Sequence, residues 1–156
     1  MSTTKQDERL IEVGNCAMDS IRCMVAALNC DYERLEELRD TEDRDADQAA
    51  ELLQLTEDAG DCTDHEDAQN RIMEDPLSLE FRSGWETDKT ALEAREFCLL
   101  LTTGGPAVRI IGEIENGSPS NPQLQVQDWG TPWTDHLVNS ADEATLQTYC
   151  EQFCFE

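Results

Sequence analysis

The residues in this sequence with the clearest capacity for chemistry are carboxylates. The run TEDRDADQAAELLQLTEDAGDCTDHED, Thr41 to Asp67, holds eleven of them and one arginine. From Asp31 to Asp67 there are 16 acids against 3 arginines, a net charge of −13. Asp40, Asp43, Asp47, Glu51 and Asp58 recur at helical spacing, and Glu36, Glu37, Glu42, Asp45 and Glu57 widen the stripe. Carboxylates at i,i+4 on a helix stand about 5–6 Å apart, close to the pitch of successive phosphates along a nucleic-acid strand. Such a row can stand in for a phosphate backbone before a basic groove. Like charges at this spacing destabilise a helix by about 0.2–0.5 kcal/mol per pair, and an ordinary solvated surface mixes its signs. The plain alternative is a solvated acidic face without a specific partner.

Other groupings are weaker. Asp43-x-Asp45-x-Asp47 copies the opening of a calcium loop, but the glycine needed at the sixth position and the glutamate at the twelfth are Gln48 and Gln54. Cys62-x-x-His65 and Cys150-x-x-x-Cys154 offer four zinc ligands, although nothing in the sequence brings the halves together. His65 and His136 are the only histidines. No GxSxG, HExxH, P-loop or GxGxxG motif is present, and Gly104-Gly105-Pro106 joins two strands instead of opening a helix. We expect no enzyme and no cofactor. Trp129 and Trp133 flank the corner of QDWGTPWT. Their rings either cover the end of a sheet with their N–H groups bonded, or anchor a protein partner.

The apolar pattern defines the elements that carry these groups. Leu10, Gly14, Ala17, Ile21, Met24 and Leu28 predict a helix from about Gln6 to Leu28, with Cys16, Cys23 and Cys30 as small packing residues beside its face. A second helical stretch covers Tyr32 to Ala59, broken near Asp40-Thr41, with Leu35 and Leu38 and then Ala49, Leu52, Leu53 and Thr56 turned inward; Gly60 ends it. A third short helix starts at a Thr63/Glu66 capping box, makes its apolar contact through Ile72 and Met73, and stops before Pro76. Leu77, Leu79 and Phe81 alternate as in a strand. Thr90 to Glu96 reads as either helix or strand. Phe97 to Thr102, Ala107 to Glu115 and Leu124 to Trp129 read as further strands, with Ser118 to Pro122 as loop. Ser140 and Glu143 predict a cap for a last helix that turns Leu146, Tyr149, Cys150 and Phe153 inward. The expected fold is α+β: an acidic helical hairpin or small bundle over 1–75, then an antiparallel sheet of three or four strands with a C-terminal helix over 76–156, both in one compact unit.

Composition limits the partners. The chain has 156 residues and a net charge of −24, and its only lysines are Lys5 and Lys89. Phosphates are repelled by such a chain, so direct binding to nucleic acid or to an anionic membrane is not expected; a basic protein is. The longest apolar run, Phe97 to Leu101, is far short of a membrane span. The segment MSTTKQDERLIEVG is too polar for a signal peptide. Seven cysteines, an odd number, give no disulfide framework. Together these features predict a cytoplasmic protein.

The segments TTGGPAVRIIGEI, QDWGTPWT and TYCEQF, within Phe97 to the C-terminus, resemble a group of small acidic proteins carried by phages, prophages and plasmids. In size and charge the chain resembles, in physical type only, DNA-mimic inhibitors that block restriction enzymes, CRISPR complexes or other DNA-binding proteins. The expected function, resting on the stripe, is a non-enzymatic inhibitor whose ten carboxylates occupy the basic groove of a host defence protein. A protein–protein adaptor using Trp129 and Trp133, and a small zinc-binding structural protein, are the alternatives.

Overall fold

The computed structural model describes residues 4–155. Thr4 opens the first helix: its hydroxyl accepts from the Asp7 N–H at 3.1 Å, and the Asp7 carboxylate accepts from the Thr4 N–H at 3.0 Å. This reciprocal cap starts α1 (Lys5–Asn29), which buries Leu10, Gly14, Met18, Ile21, Val25 and Leu28 along one face. Ala17 and Met24 flank that face half-buried. Cys16 and Cys23 are exposed and Cys30 is half-buried, contrary to the packing role expected of them. At 3.6 residues per turn, Cys16 lies about 200° from both Gly14 and Met18, and Cys23 stands in the same relation to Ile21 and Val25.

Asp31 caps α2 (Tyr32–Asp40), which buries Leu35 and Leu38. The break expected at Asp40-Thr41 separates it from α3 (Ala46–Ala59). Asp45 and Gln48 form the cap of α3, and Gly60, at φ 55°, ends it in the left-handed region that favours glycine. The inner side of α3 differs from the expected one. Leu52, Leu55 and Ala59 turn inward with Gln48, while Ala49, Leu53 and Thr56 face solvent. Two adjacent stripes of this helix carry leucines, and packing against α1 selects the one that also presents Ala59. α4 (His65–Glu74) is capped by Asp64, whose carboxylate accepts from the Asp67 N–H at 2.7 Å, while Asp67 accepts from the Thr63 N–H at 3.0 Å. The cap therefore lies one residue past the expected Thr63/Glu66 box. Ile72 is fully buried but Met73 points outward.

The sheet has five antiparallel strands in chain order, one or two more than expected: β1 (Ser78–Ser83), β2 (Ala94–Thr102), β3 (Ala107–Glu115), β4 (Ser118–Gln127) and β5 (Thr134–Asp135). The ambiguous Thr90–Glu96 stretch divides between a 3-10 turn at Lys89–Ala91 and the start of β2. Asn116 and Gly117, at φ 53° and 77°, make the tight hairpin turn into β4. The segment Ser118–Pro122, expected as loop, belongs to β4. Pro119 still pairs with Ile114, and Asn121-Pro122 falls where the β3–β4 register shifts, so the ladder tolerates both prolines.

Alternating residues Phe97, Leu99, Val108, Ile110, Leu124 and Val126 are buried on one face of the sheet. α1 and α5 (Ser140–Cys150) cover that face, and α5 contributes Leu146, Tyr149 and Cys150. Asn139, not Ser140, caps α5 by accepting from the Asp142 N–H at 2.8 Å. α4 and α3 pack on α1, and α2 packs on α3. One buried cluster contains side chains of α1, α4, the sheet and α5. No helix among the described residues is long and apolar enough to cross a membrane.

Candidate interaction site

The carboxylates singled out in the sequence lie on α2, α3 and their connection. Glu36, Glu37, Asp40, Glu42, Asp43, Asp45, Asp47, Glu51 and Glu57 are exposed, and Asp58 is half-buried. Glu33, outside the expected set, completes an exposed face of α2 with Glu36, Glu37 and Asp40 at i, i+3, i+4 and i+7. That spacing was available in the sequence.

Two of the three arginines among these acids, Arg34 and Arg44, serve the fold. Arg34 reaches from α2 to α3, donating through Nε and Nη2 to the two carboxylate oxygens of Glu51 at 2.9 and 3.1 Å and through Nη1 to Glu37 at 3.1 Å. This fork holds the Glu51 carboxyl below its ordinary value and raises the Arg34 guanidinium. Arg44 bends back onto the end of α2, where Nη1 donates to the carbonyls of Leu38 at 2.8 Å and Thr41 at 3.0 Å. Gln54 donates to Asp58 at 2.9 Å, and Asp45 is occupied as the cap of α3. Glu36, Asp40, Glu42, Asp43, Asp47 and Glu57 make no ion pair among the described residues. Glu57 and Asp58 stand in the last turn of α3, where the helix dipole disfavours negative charge and no basic residue offsets it. The arrangement carries an electrostatic cost and leaves anionic groups facing solvent.

The indoles are engaged one at a time. Trp133 is half-buried under the Arg109 guanidinium, 4.2 Å from the ring centroid. Trp129 is 77% exposed and lies across the β2–β3 turn, where a Cβ on Gly105 would collide with its Nε1. The corner beneath it is fixed by Gln6 donating to the Trp129 carbonyl at 2.9 Å and by Asp128 accepting from the Trp129 N–H at 2.9 Å. Trp85, outside the expected set, is fully exposed.

The four possible zinc ligands are not brought together. No group of three or more His, Cys, Asp or Glu residues among those described is placed to hold a metal ion. His65 is committed through Nδ1 to the Leu28 carbonyl oxygen at 2.9 Å. Cys62 and Cys150 are buried, and burial pushes both thiols up, away from the thiolate a metal requires. Asp43, Asp45 and Asp47 form no calcium loop either, because α3 begins at Ala46. A cleft of about 520 Å³ on the outer face of the sheet is lined by Cys98, Arg109, Glu113 and Gln123 among others. It holds no histidine, and burial raises the Cys98 thiol.

A different set of charges joins α1 to α5 and to the segment between β4 and α5. Arg22 donates to both oxygens of the buried Asp142 at 2.7 Å and holds that carboxyl below its ordinary value. Arg9 lies 3.3 Å from the buried Asp128. The buried His136 ring rests on Gly14, where a Cβ would collide with Nδ1. Burial first, and then the neighbouring Arg22, push the His136 imidazole down, while Asp142 acts in the opposite sense.

No family model, curated protein or solved structure matches the chain.

Proposed function

We propose that the protein is a non-enzymatic inhibitor whose α2–α3 carboxylates occupy the basic nucleic-acid groove of a host protein, of the kind found in restriction or CRISPR-type complexes. The supporting observation is the division of labour in the hairpin. Arg34 and Arg44 are spent on the protein's own groups, Arg39 is exposed, and six carboxylates face solvent without an ion-pair partner among the described residues. Binding of this type is fast, electrostatically steered and salt-sensitive.

The test uses the immobilised chain, a host lysate and elution first with a salt gradient and then with duplex DNA. The expected result is a basic nucleic-acid-binding protein that either eluant releases. Reversal of Glu36, Asp40, Asp43 and Asp47 to Lys should abolish its capture while helicity is unchanged. Capture that survives the reversal rules out the acidic face as the interface.

A second reading, a protein–protein adaptor, is favoured by the exposure of Trp129 on a corner pinned from both sides. Its partner would resist salt and be lost on Trp129→Ala.

A further inference from the structure

We propose that β1 pairs along its open edge with β1 of a second copy, about a two-fold axis at Phe81, continuing the sheet across the dimer. β1 is the first strand in the sheet order, with β2 on one side and no strand on the other. An open edge is usually blunted by proline, by lysine or by a covering element. Ser78–Ser83 contains neither residue; its charges are Glu80 and Arg82, one of each sign, and its register against β2 shifts only at its last step, between Arg82 and Ser83. Exposed apolar side chains gather along the strand and at both its ends: Phe81 at 48%, Leu77 at 60% and Trp85 fully.

Charge selects the occupant and the register. In an antiparallel pair, residues directly opposite share a face, so even positions meet even ones and odd meet odd. An axis at Glu80 sets the two Glu80 carboxylates against each other, and one at Arg82 does the same to the guanidinium groups. An axis at Leu79 brings Glu80 to Ser78 and pairs no charges. An axis at Phe81 sets Glu80 opposite the partner's Arg82, and Arg82 opposite the partner's Glu80. Glu80 is exposed and makes no ion pair within the described chain, whereas Arg82 is already forked onto Glu96 at 2.7 and 2.9 Å. The register therefore builds a row of alternating charge: Glu96, Arg82 and the partner's Glu80, repeated by symmetry.

On the other face, Phe81 meets the partner's Phe81 and extends an aromatic row. Its ring stands edge-on to Phe155 at 6.2 Å, and Phe155 lies 4.9 Å from Phe97. The same register runs Leu77 alongside the partner's Trp85. The net charge of −24 opposes association, but its densest part is on α2 and α3, which pack chiefly on α1 and on each other. Physiological salt screens it over about 8 Å.

Sedimentation across a dilution series in physiological salt is the direct test, with circular dichroism confirming that each variant is folded. A monomer–dimer equilibrium is expected. Glu80→Arg and Arg82→Glu, each alone, set like charges across the axis and should weaken self-association roughly tenfold or more. Mixed in equal amounts, the two variants face opposite charges again and should form a heterodimer. A monomeric mass at every concentration overturns the proposal. So does a mixture no heavier than its components, because the register then lies elsewhere.

Discussion

The acidic hairpin and the seam between α1 and α5 both depend on carboxylates and arginines, with opposite economies. In the seam, Asp142 and Asp128 are buried and each has a guanidinium within 3.3 Å. Their charge is consumed in holding α1 to α5 and to the corner after β4. In the hairpin, acids far outnumber arginines, and two of the three arginines, Arg34 and Arg44, clamp or cap the helices. What remains is surface charge that strains its own helices. Charge that serves stability is buried and matched; charge left exposed and unmatched is available to something outside the molecule.

Breaking one region at a time sharpens that contrast. The largest effect expected is on binding: reversing Glu36, Asp40, Asp43 and Asp47 to Lys should weaken association with a basic partner by about a thousandfold. The melting temperature should hold or rise, since self-repulsion falls. In the seam the ranking inverts. Gly14→Val drives a side chain into the His136 ring and should cost about 3 kcal/mol of stability in a denaturant titration. Asp142→Ala leaves Arg22 without its fork and should cost about 2 kcal/mol. Neither should change affinity for the partner per folded molecule.

Acid should separate the two regions as well. His136 and Asp142 both have lowered values, so they bind fewer protons folded than unfolded. Their contribution is complete above the ordinary values and is lost as pH falls, that of His136 first, below about 6.5, and that of Asp142 below about 4. The hairpin's Arg34–Glu51 fork rests on a carboxyl that is itself held low, so it is lost only below the ordinary glutamate range. Hydrogen exchange at mildly acidic pH should therefore show seam amides losing protection while hairpin amides keep theirs. The smallest effect expected is that of Arg34→Ala. It removes an exposed fork, lowers the melting temperature slightly and leaves the free carboxylates, and hence binding, intact.

Where local chemistry decides, the sequence was legible. The α+β order, the break after Asp40, the Gly60 stop and the Asn116-Gly117 turn follow from periodicity and turn residues. Where two adjacent residues can do the same job, it was not. Thr63 and Asp64, like Asn139 and Ser140, are all competent caps, and the path of the incoming chain chooses between them. The inner side of α3 is set by α1, a neighbour some thirty residues away that no local window contains. β5 is two residues long, below any periodic signal. The acidic site was readable as a set of residues, but the inward turn of Arg34 and Arg44, which leaves it unneutralised, depends on side-chain reach in three dimensions.

The position of α1 sets an order of events during synthesis. It precedes its partners in the chain: α3 and α4 can pack on it early, but β3, β4 and α5, which its buried face also meets, all lie beyond residue 106. Closing that face waits for loops of about a hundred residues, a slow step. Until then part of its stripe of Leu, Met, Ile and Val is uncovered, and the strongly negative segment that follows it keeps the nascent chains apart. The charge proposed to face a partner in the finished protein would thus protect it earlier, while it is still incomplete.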